Sequence, residues 1–412
     1  MYREFPRDVR GFEPSAFGLI QPRLPTYAGS LVPAPFLEEQ LIRWSGGVEL
    51  VEDAAGFLEV ADLGNGYAYV CDGTNLTQKV PGGPDVVYAE AGISTICEHL
   101  GRLYMSGDFS QLNSMVLDTG DGTGIPALDN SYVYWTSAGY EDMQAVLEGD
   151  AAVFSELLEQ NDLGWIHVSN VGDVVQLLPR GDSVVVYGTE GIAILKQGAV
   201  TNLVGIAAIG LANRGAVVDA GGQHRFLSMQ GILYEFGEAI TRLDYQHVFN
   251  PLLTDDFILT FDPSTGNMFL ASVDSGYLYN ANGLAEIATR ISSIVVEDGV
   301  SKRTSRTATS FDQMVWISDL DLGSRELKTL RGFKVLHILD TGGEIEASVL
   351  RRNTKATAFV AVTIPDMLGN GYQQVGTTAI EFSLQFTGSG IEILSDVVLE
   401  IEEGESFYTG AL

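Results

Sequence analysis

Short segments rich in Val, Ile, Tyr and Phe recur along the chain, separated by glycine, and this punctuation predicts an almost wholly β protein. One local pattern repeats: a glycine, an apolar or aromatic residue within two positions, and Tyr or Ile at the end. Its copies are Gly66-Tyr-Ala-Tyr69, Gly101-Arg-Leu-Tyr104, Gly191-Ile-Ala-Ile194, Gly231-Ile-Leu-Tyr234 and Gly276-Tyr-Leu-Tyr279, with Asp312-Gln-Met-Val-Trp316 as a degenerate last member. Successive copies start 35, 90, 40, 45 and 36 residues apart. All but one of these steps lie near the roughly 40 to 50 residues of a four-stranded propeller blade, although glycine and an aromatic residue at strand ends equally suit a plain meander or sandwich. The long step is expected to hold an extra blade or an insertion near 121–165, which makes about six blades. Inside it, Met143, Val146, Leu147, Val153, Leu157 and Leu158 fall at helical intervals and predict a short helix within 141–160.

The texture changes after residue 332. From Ala379 to Phe386 the chain alternates strictly, with Ile380, Phe382, Leu384 and Phe386 on one face and Glu381, Ser383 and Gln385 on the other. That pattern predicts a strand with one buried and one wet face. Val397, Leu399 and Ile401 against Val398, Glu400 and Glu402 repeat the device, so 333–412 reads as an antiparallel β-sandwich. Pro6, Pro14, Pro22, Pro25, Pro33 and Pro35 crowd the first 45 residues and suggest an extended arm, since proline suits neither a helix interior nor a central strand. The propeller-like domain then covers 46–332.

Composition narrows the reading. The 412 residues are 45% hydrophobic and 19% charged, a globular inventory with ample material for a core. The 54 acidic residues against 23 Lys and Arg leave a net charge of -31, which argues against gripping nucleic acid through phosphate attraction. Cys71 and Cys97 stand outside any C-x-x-C spacing and read as separate reduced thiols. No apolar run approaches the ~18 residues of a membrane span, and the N-terminus lacks a secretory pattern, so synthesis in a reducing cytoplasm is expected.

Two Asp-Thr-Gly triplets, at Asp118 and Asp340, each follow an apolar segment as the catalytic loops of pepsin-like proteases do. Shared-proton chemistry would need both carboxylates together. The triplets are also ordinary turn sequences, the small hydroxyl residue that usually follows is missing, and they fall in different expected domains. The loop from Asp118 to Gly124 carries oxygen ligands without the spacing of an EF-hand, and a solvated turn is the simpler reading than a Ca2+ site. Five scattered histidines show no metal spacing, and no nucleophile elbow occurs. The expectation is a protein with no catalytic residue, no metal and no cofactor.

Charge is segregated. Residues 302–355 carry a net +3 while the remainder carries -34. Lys302, Arg303, Arg306, Arg351, Arg352 and Lys355 are therefore candidates for a subunit interface, because an acidic face on one copy would attract a basic strip on the next.

Four stretches, in order, resemble the tail nozzle proteins of short-tailed phages, the family that includes the packaged-DNA stabilisation proteins. They are His99-Leu-Gly-Arg-Leu-Tyr-Met-Ser-Gly107, Asn130-Ser-Tyr-Val-Tyr-Trp-Thr-Ser-Ala-Gly-Tyr140, Gly181-Asp-Ser-Val-Val-Val-Tyr-Gly-Thr-Glu-Gly-Ile192 and Gly222-Gln-His-Arg-Phe-Leu-Ser-Met-Gln-Gly-Ile-Leu-Tyr234. The end of the chain, closing on Val397-Val-Leu-Glu-Ile-Glu402, is also similar to that family. The resemblance implies a structural virion protein: a ring of like subunits, commonly six, docked below portal and adaptor, with tail fibre or needle proteins as neighbours and duplex DNA passing without specific binding. A carbohydrate- or receptor-binding adhesin and a propeller hydrolase are the competing readings.

Overall fold

The computed structural model describes residues 7–410 except 17, 24–25, 28–38, 45–46, 53–56, 65–67, 81–82, 89–91, 109–128, 138–149, 151, 154, 157–162, 197–200, 254–256, 298–299, 308–312, 321–326, 355, 369 and 403–406. The fold is nearly all β, with a five-blade propeller arrangement and a large curled sheet. Two compact units result: a propeller unit of 25–273 and 291–306, and a sheet unit of 1–24, 274–290 and 307–412. The sequence reading instead divided the chain at 45 and 332.

In the propeller unit each blade is an antiparallel meander of sequential strands. Blade 1 is Glu59–Asp62, Ala68–Cys71, Leu76–Lys79 and Val86–Tyr88. Blade 2 is Ile93–His99, Arg102–Gly107, Tyr132–Trp135 and Gly164–His167. Blade 3 is Val174–Arg180, Ser183–Gly188, Ile192–Lys196 and Asn202–Ala207, and blade 4 is Val217–Asp219, His224–Leu227, Leu233–Phe236 and Ile240–Asp244. The inner hairpin of blade 5 is Ile258–Asp262 with Asn267–Ala271. Apolar side chains fill the spaces between blades; Cys97, Tyr104 and Trp135 of blade 2 share one core cluster with Leu177, Val186 and Ala193 of blade 3.

The count of about six blades is thus corrected to five. The repeated Gly-aromatic motif sits on the second strand in blades 1 and 2 but on the third strand in blades 3 and 4. That change of position, with an insertion in blade 2, lengthens one step to 90 residues without adding a blade. Of the expected helix within 141–160, residues 152, 153, 155 and 156 are helical, and most of the remainder lies outside the described residues.

In the sheet unit the long strands Lys328–Arg352 and Glu381–Glu402 pair antiparallel from Thr329↔Glu402 to Arg352↔Glu381. Tyr372–Ala379 and Val360–Val362 pair with opposite ends of the first long strand, and Gln313–Leu320 pairs with the second. The alternation therefore does produce antiparallel β structure, but as long strands running through one curled sheet. Phe333, Phe382, Leu384, Phe386 and Leu399 are buried at its core. Phe333 meets Phe386 edge to face with ring centres 5.6 Å apart.

One face expected to be wet is not. Glu381 and Ser383 are wholly buried: Glu381 pairs with Arg352, and Ser383 accepts from the Trp316 indole and donates to the Ile317 carbonyl at 3.1 Å. Polar residues alternate with apolar ones in this strand because both of its faces are covered, and Arg352 and the Trp316–Ile317 pair answer Glu381 and Ser383 there. The proline-rich segment contributes short strands too, with Arg7–Arg10 against Gln313–Leu320 and Gly18–Ile20 against the second long strand. Pro14 lies in the sheet-edge strand Glu13–Ser15, the position proline tolerates, and its carbonyl accepts from Asn280 Nδ2 at 2.9 Å.

Candidate functional site

The innermost strands of the five blades line a cavity of about 590 Å³ within the propeller unit. Its wall is built by the edges of these strands, where the backbone has no further strand to pair with. The lining is mixed: Asp62, Glu98 and Asp219 stand on the same wall as Leu178, Val218 and Phe261.

Hydrogen bonds link every blade around this centre. Glu59 of blade 1 accepts from Thr95 Oγ1 at 2.7 Å and from the Ile96 amide at 3.2 Å, both in blade 2. Thr95 Oγ1 accepts in turn from the Leu177 amide of blade 3 at 3.1 Å. Gln176 Oε1 accepts from the Gly215 amide, just before blade 4, at 3.0 Å. The Gly215 carbonyl accepts from the Leu259 amide of blade 5 at 2.9 Å. Arg214 then reaches back to blade 1, donating to Glu59 Oε2 at 2.9 Å and to the Cys71 carbonyl at 2.6 Å. Blades 1 and 4 are not consecutive in the chain, so this ion pair is a cross-tie.

Burial raises the Glu59 carboxyl above the usual carboxylate range, against the opposing pull of Arg214, Thr95 and the Ile96 amide. Burial works against the charge on Arg214 as well, but the charge of Glu59 and its hydrogen bond raise the guanidinium above its ordinary value and hold it protonated. A second tie joins blades 3 and 4. His224 is buried, with Nε2 at 3.2 Å from the Pro179 carbonyl and Nδ1 at 2.9 Å from the Tyr187 hydroxyl. A carbonyl only accepts, so Nε2 carries the proton and Nδ1 accepts from Tyr187. Burial lowers the His224 pKa to about 4, so the ring is neutral at pH 7.

These groups are arranged to hold blades together. Burial pushes Cys71 up to about 12 and Cys97 well above its ordinary value, the reverse of what a nucleophilic thiol requires. Both thiols are free and buried, as the spacing suggested. Among the described residues no group of three or more His, Cys, Asp and Glu could hold a metal ion.

The residues singled out from sequence lie elsewhere. Asp118 and the whole acidic loop to Gly124 are outside the described residues, so neither a Ca2+ site there nor the pairing of Asp118 with Asp340 enters the structure. Asp340-Thr-Gly342 forms no hairpin tip. It bulges out of the first long strand, between the pairs Leu339↔Ile391 and Glu344↔Ser389. The basic strip divides between units: Lys302, Arg303 and Arg306 belong to the propeller unit, Arg351 and Arg352 to the sheet unit, and Lys355 is outside the described residues. Arg351 donates to Thr377 Oγ1 at 2.8 Å and the Thr378 carbonyl at 3.2 Å. Arg352 is committed to buried Glu381 and also lies over the Phe359 ring, 4.5 Å from its centre.

Sequence reasoning missed Glu59 and Arg214. The available signal was a lone carboxylate inside the apolar run Phe57-Leu-Glu-Val-Ala61, but nothing local names a partner 155 residues away.

No known protein family and no curated protein matches the chain. Among solved structures it is similar to the extracellular domain of the one-component system BT4673 of B. thetaiotaomicron, at 8% identity and a TM-score of 0.39, over 90% of this chain and 56% of that one. Hsv2 of Kluyveromyces lactis shares 12% identity with a TM-score of 0.31, over 63% and 76% of the two chains. BamB of Moraxella catarrhalis also shares 12% identity with a TM-score of 0.31, over 74% of this chain and all of that one.

Proposed function

We propose that the chain is a structural subunit of a phage tail, one of a ring of like copies that forms a nozzle below portal and adaptor and continues the genome exit channel of the virion. The observation that carries this reading is the order of the four nozzle-like stretches. The first two lie on strands of blade 2, the third on blade 3 and the fourth on blade 4, so the likeness follows successive blades. The hydrogen-bonded ties between blades suit a component that bears load.

A cavity of about 590 Å³ leaves no room for a duplex to pass through one copy. In this reading the channel is enclosed between copies. A wall rich in Asp and Glu would let DNA slide, because each phosphate bound to a cation must be released again. The test is solution mass and electron microscopy of the purified chain, alone and with portal and adaptor. A ring that seats on the adaptor supports the nozzle; a chain that stays monomeric with both present defeats it.

A further inference from the structure

Residues 7–23 complete the sheet unit from far away in sequence, since their partners come from 274–290 and 307–412. Arg7–Arg10 is an interior strand. It pairs antiparallel with Gln313–Leu320 on one side and parallel with Gly283–Ile287, through Arg10↔Glu286, on the other. The Gly11 amide donates to the Glu286 carbonyl at 2.7 Å, and the Arg10 guanidinium meets the Glu286 carboxylate at 2.9 Å. Val9, Phe12 and Leu19 are buried in one core with Val315, Ile317 and Leu394. Without this segment the two flanking strands would present open edges beside an uncovered core, so the slot has to be filled in every copy.

What fills it need not be the same chain. Exchange of an identical segment between copies keeps all of these contacts and is a low-cost route to assembly. Two observations favour it. The chain passes to the propeller unit at 24–25, and Thr26–Tyr27 is already paired with Lys302 and Arg303 of that unit. The sequence there, Pro22-Arg-Leu-Pro25, has proline at both ends, and a residue that precedes proline favours extended backbone. A hinge this short, stiffened by proline, resists folding the segment back onto its own copy, the circumstance that favours exchange. The second observation is charge. Residues 7–23 carry a net +1 while the remainder of the chain carries -32, so two copies repel except where this segment of one meets the acidic slot of the other. Glu286 supplies that attraction at one end of the slot, and at the other Asp340 accepts from Gln21 Nε2 at 3.2 Å.

We propose that in the assembled ring residues 7–23 of each copy fill the slot between Gln313–Leu320 and Gly283–Ile287 of the next. Head-to-tail exchange around a closed ring leaves no slot empty. The proposal rests on the nozzle reading in one respect, that copies assemble side by side.

Ile20 stands directly opposite Ile393, both half-buried, so cysteines at these positions lie within disulfide reach and report which copy holds the segment. Ile20→Cys with Ile393→Cys in one chain, assembled, oxidised and run on a denaturing non-reducing gel, should give a ladder of covalent multimers. The two single variants assembled together should give a covalent dimer, and each alone none, because Cys71 and Cys97 are buried. Monomers holding an internal disulfide overturn the exchange. If they come from an intact ring, the nozzle reading stands without it; a covalent ladder from copies that do not seat on the adaptor does the reverse. Pro25→Gly, which frees the hinge, should weaken assembly at least tenfold by mass photometry with the melting temperature of the subunit unaltered. Where no disulfide forms this variant decides, and unchanged assembly overturns the exchange.

Discussion

Arg214 and Glu59 are 155 residues apart in the chain and 2.9 Å apart in the fold, both largely shielded from water. Removing one member of such a pair leaves the other buried and unanswered, at a cost of about 3–5 kcal/mol. Arg214→Ala should therefore show that loss in urea unfolding. Joint replacement by Glu59→Leu and Arg214→Met should recover much of it, because an apolar pair strands no charge. Equal stability of the single and double variants would mean that the cross-tie does not hold the blades.

His224 makes stability depend on pH in one direction. The unfolded chain takes up a proton near pH 6.5, whereas burial holds the folded ring neutral until about pH 4. Falling pH thus favours the unfolded state across this window, by about 3 kcal/mol in total, and the contribution is intact above pH 6.5. His224→Gln should flatten the decline between pH 6.5 and 4, measured by denaturant unfolding at several pH values. An unchanged slope would exclude His224 as its source.

Both thiols should resist modification in the folded state. Cys71 donates to the Ile93 carbonyl at 3.3 Å and is pushed up to about 12, and Cys97 is buried among blade 2 and blade 3 side chains. Ellman's reagent at pH 8 should label neither without denaturant and both in 6 M guanidinium. Rapid labelling of the native protein would show that these blades open easily.

The two neighbouring arginines of the basic strip should behave differently. Arg352→Glu places a second carboxyl against buried Glu381 and should cost about 3–5 kcal/mol, so it reports folding rather than assembly. Arg351 is exposed and donates to Thr377 and Thr378, so Arg351→Glu should leave the melting temperature within a few degrees. Any weakening of ring assembly in Arg351→Glu, greatest at low salt, assigns it to a subunit contact. Assembly unchanged across salt concentrations removes it from the interface.

The blade strands were legible in sequence because glycine punctuates them and Tyr or Ile follows it, as Tyr104 and Ile194 do. The number of blades was not, because those two residues occupy different strands of their blades. Alternation from Phe382 to Phe386 identified a strand correctly but not its environment: Ser383 looks solvated until Trp316 and Ile317 are brought over it by pairing 66 residues distant. The candidate cavity was illegible for the same reason. Asp62, Glu98 and Asp219 are ordinary turn acids in sequence, and only closure of the blades around one centre brings them onto a common wall.

The cross-tie also sets a schedule for synthesis. Glu59 leaves the ribosome 155 residues ahead of the arginine that neutralises it. At about 5–20 residues per second, roughly 8 to 30 seconds pass with blade 1 made and the Glu59 carboxyl without its arginine. Blade 1 cannot settle into its final packing in that interval. A chain released before Arg214 should remain open to proteases, and one released just after the inner hairpin of blade 5 should be the shortest to gain protection, so nascent chains of graded length carry the signature of this late lock.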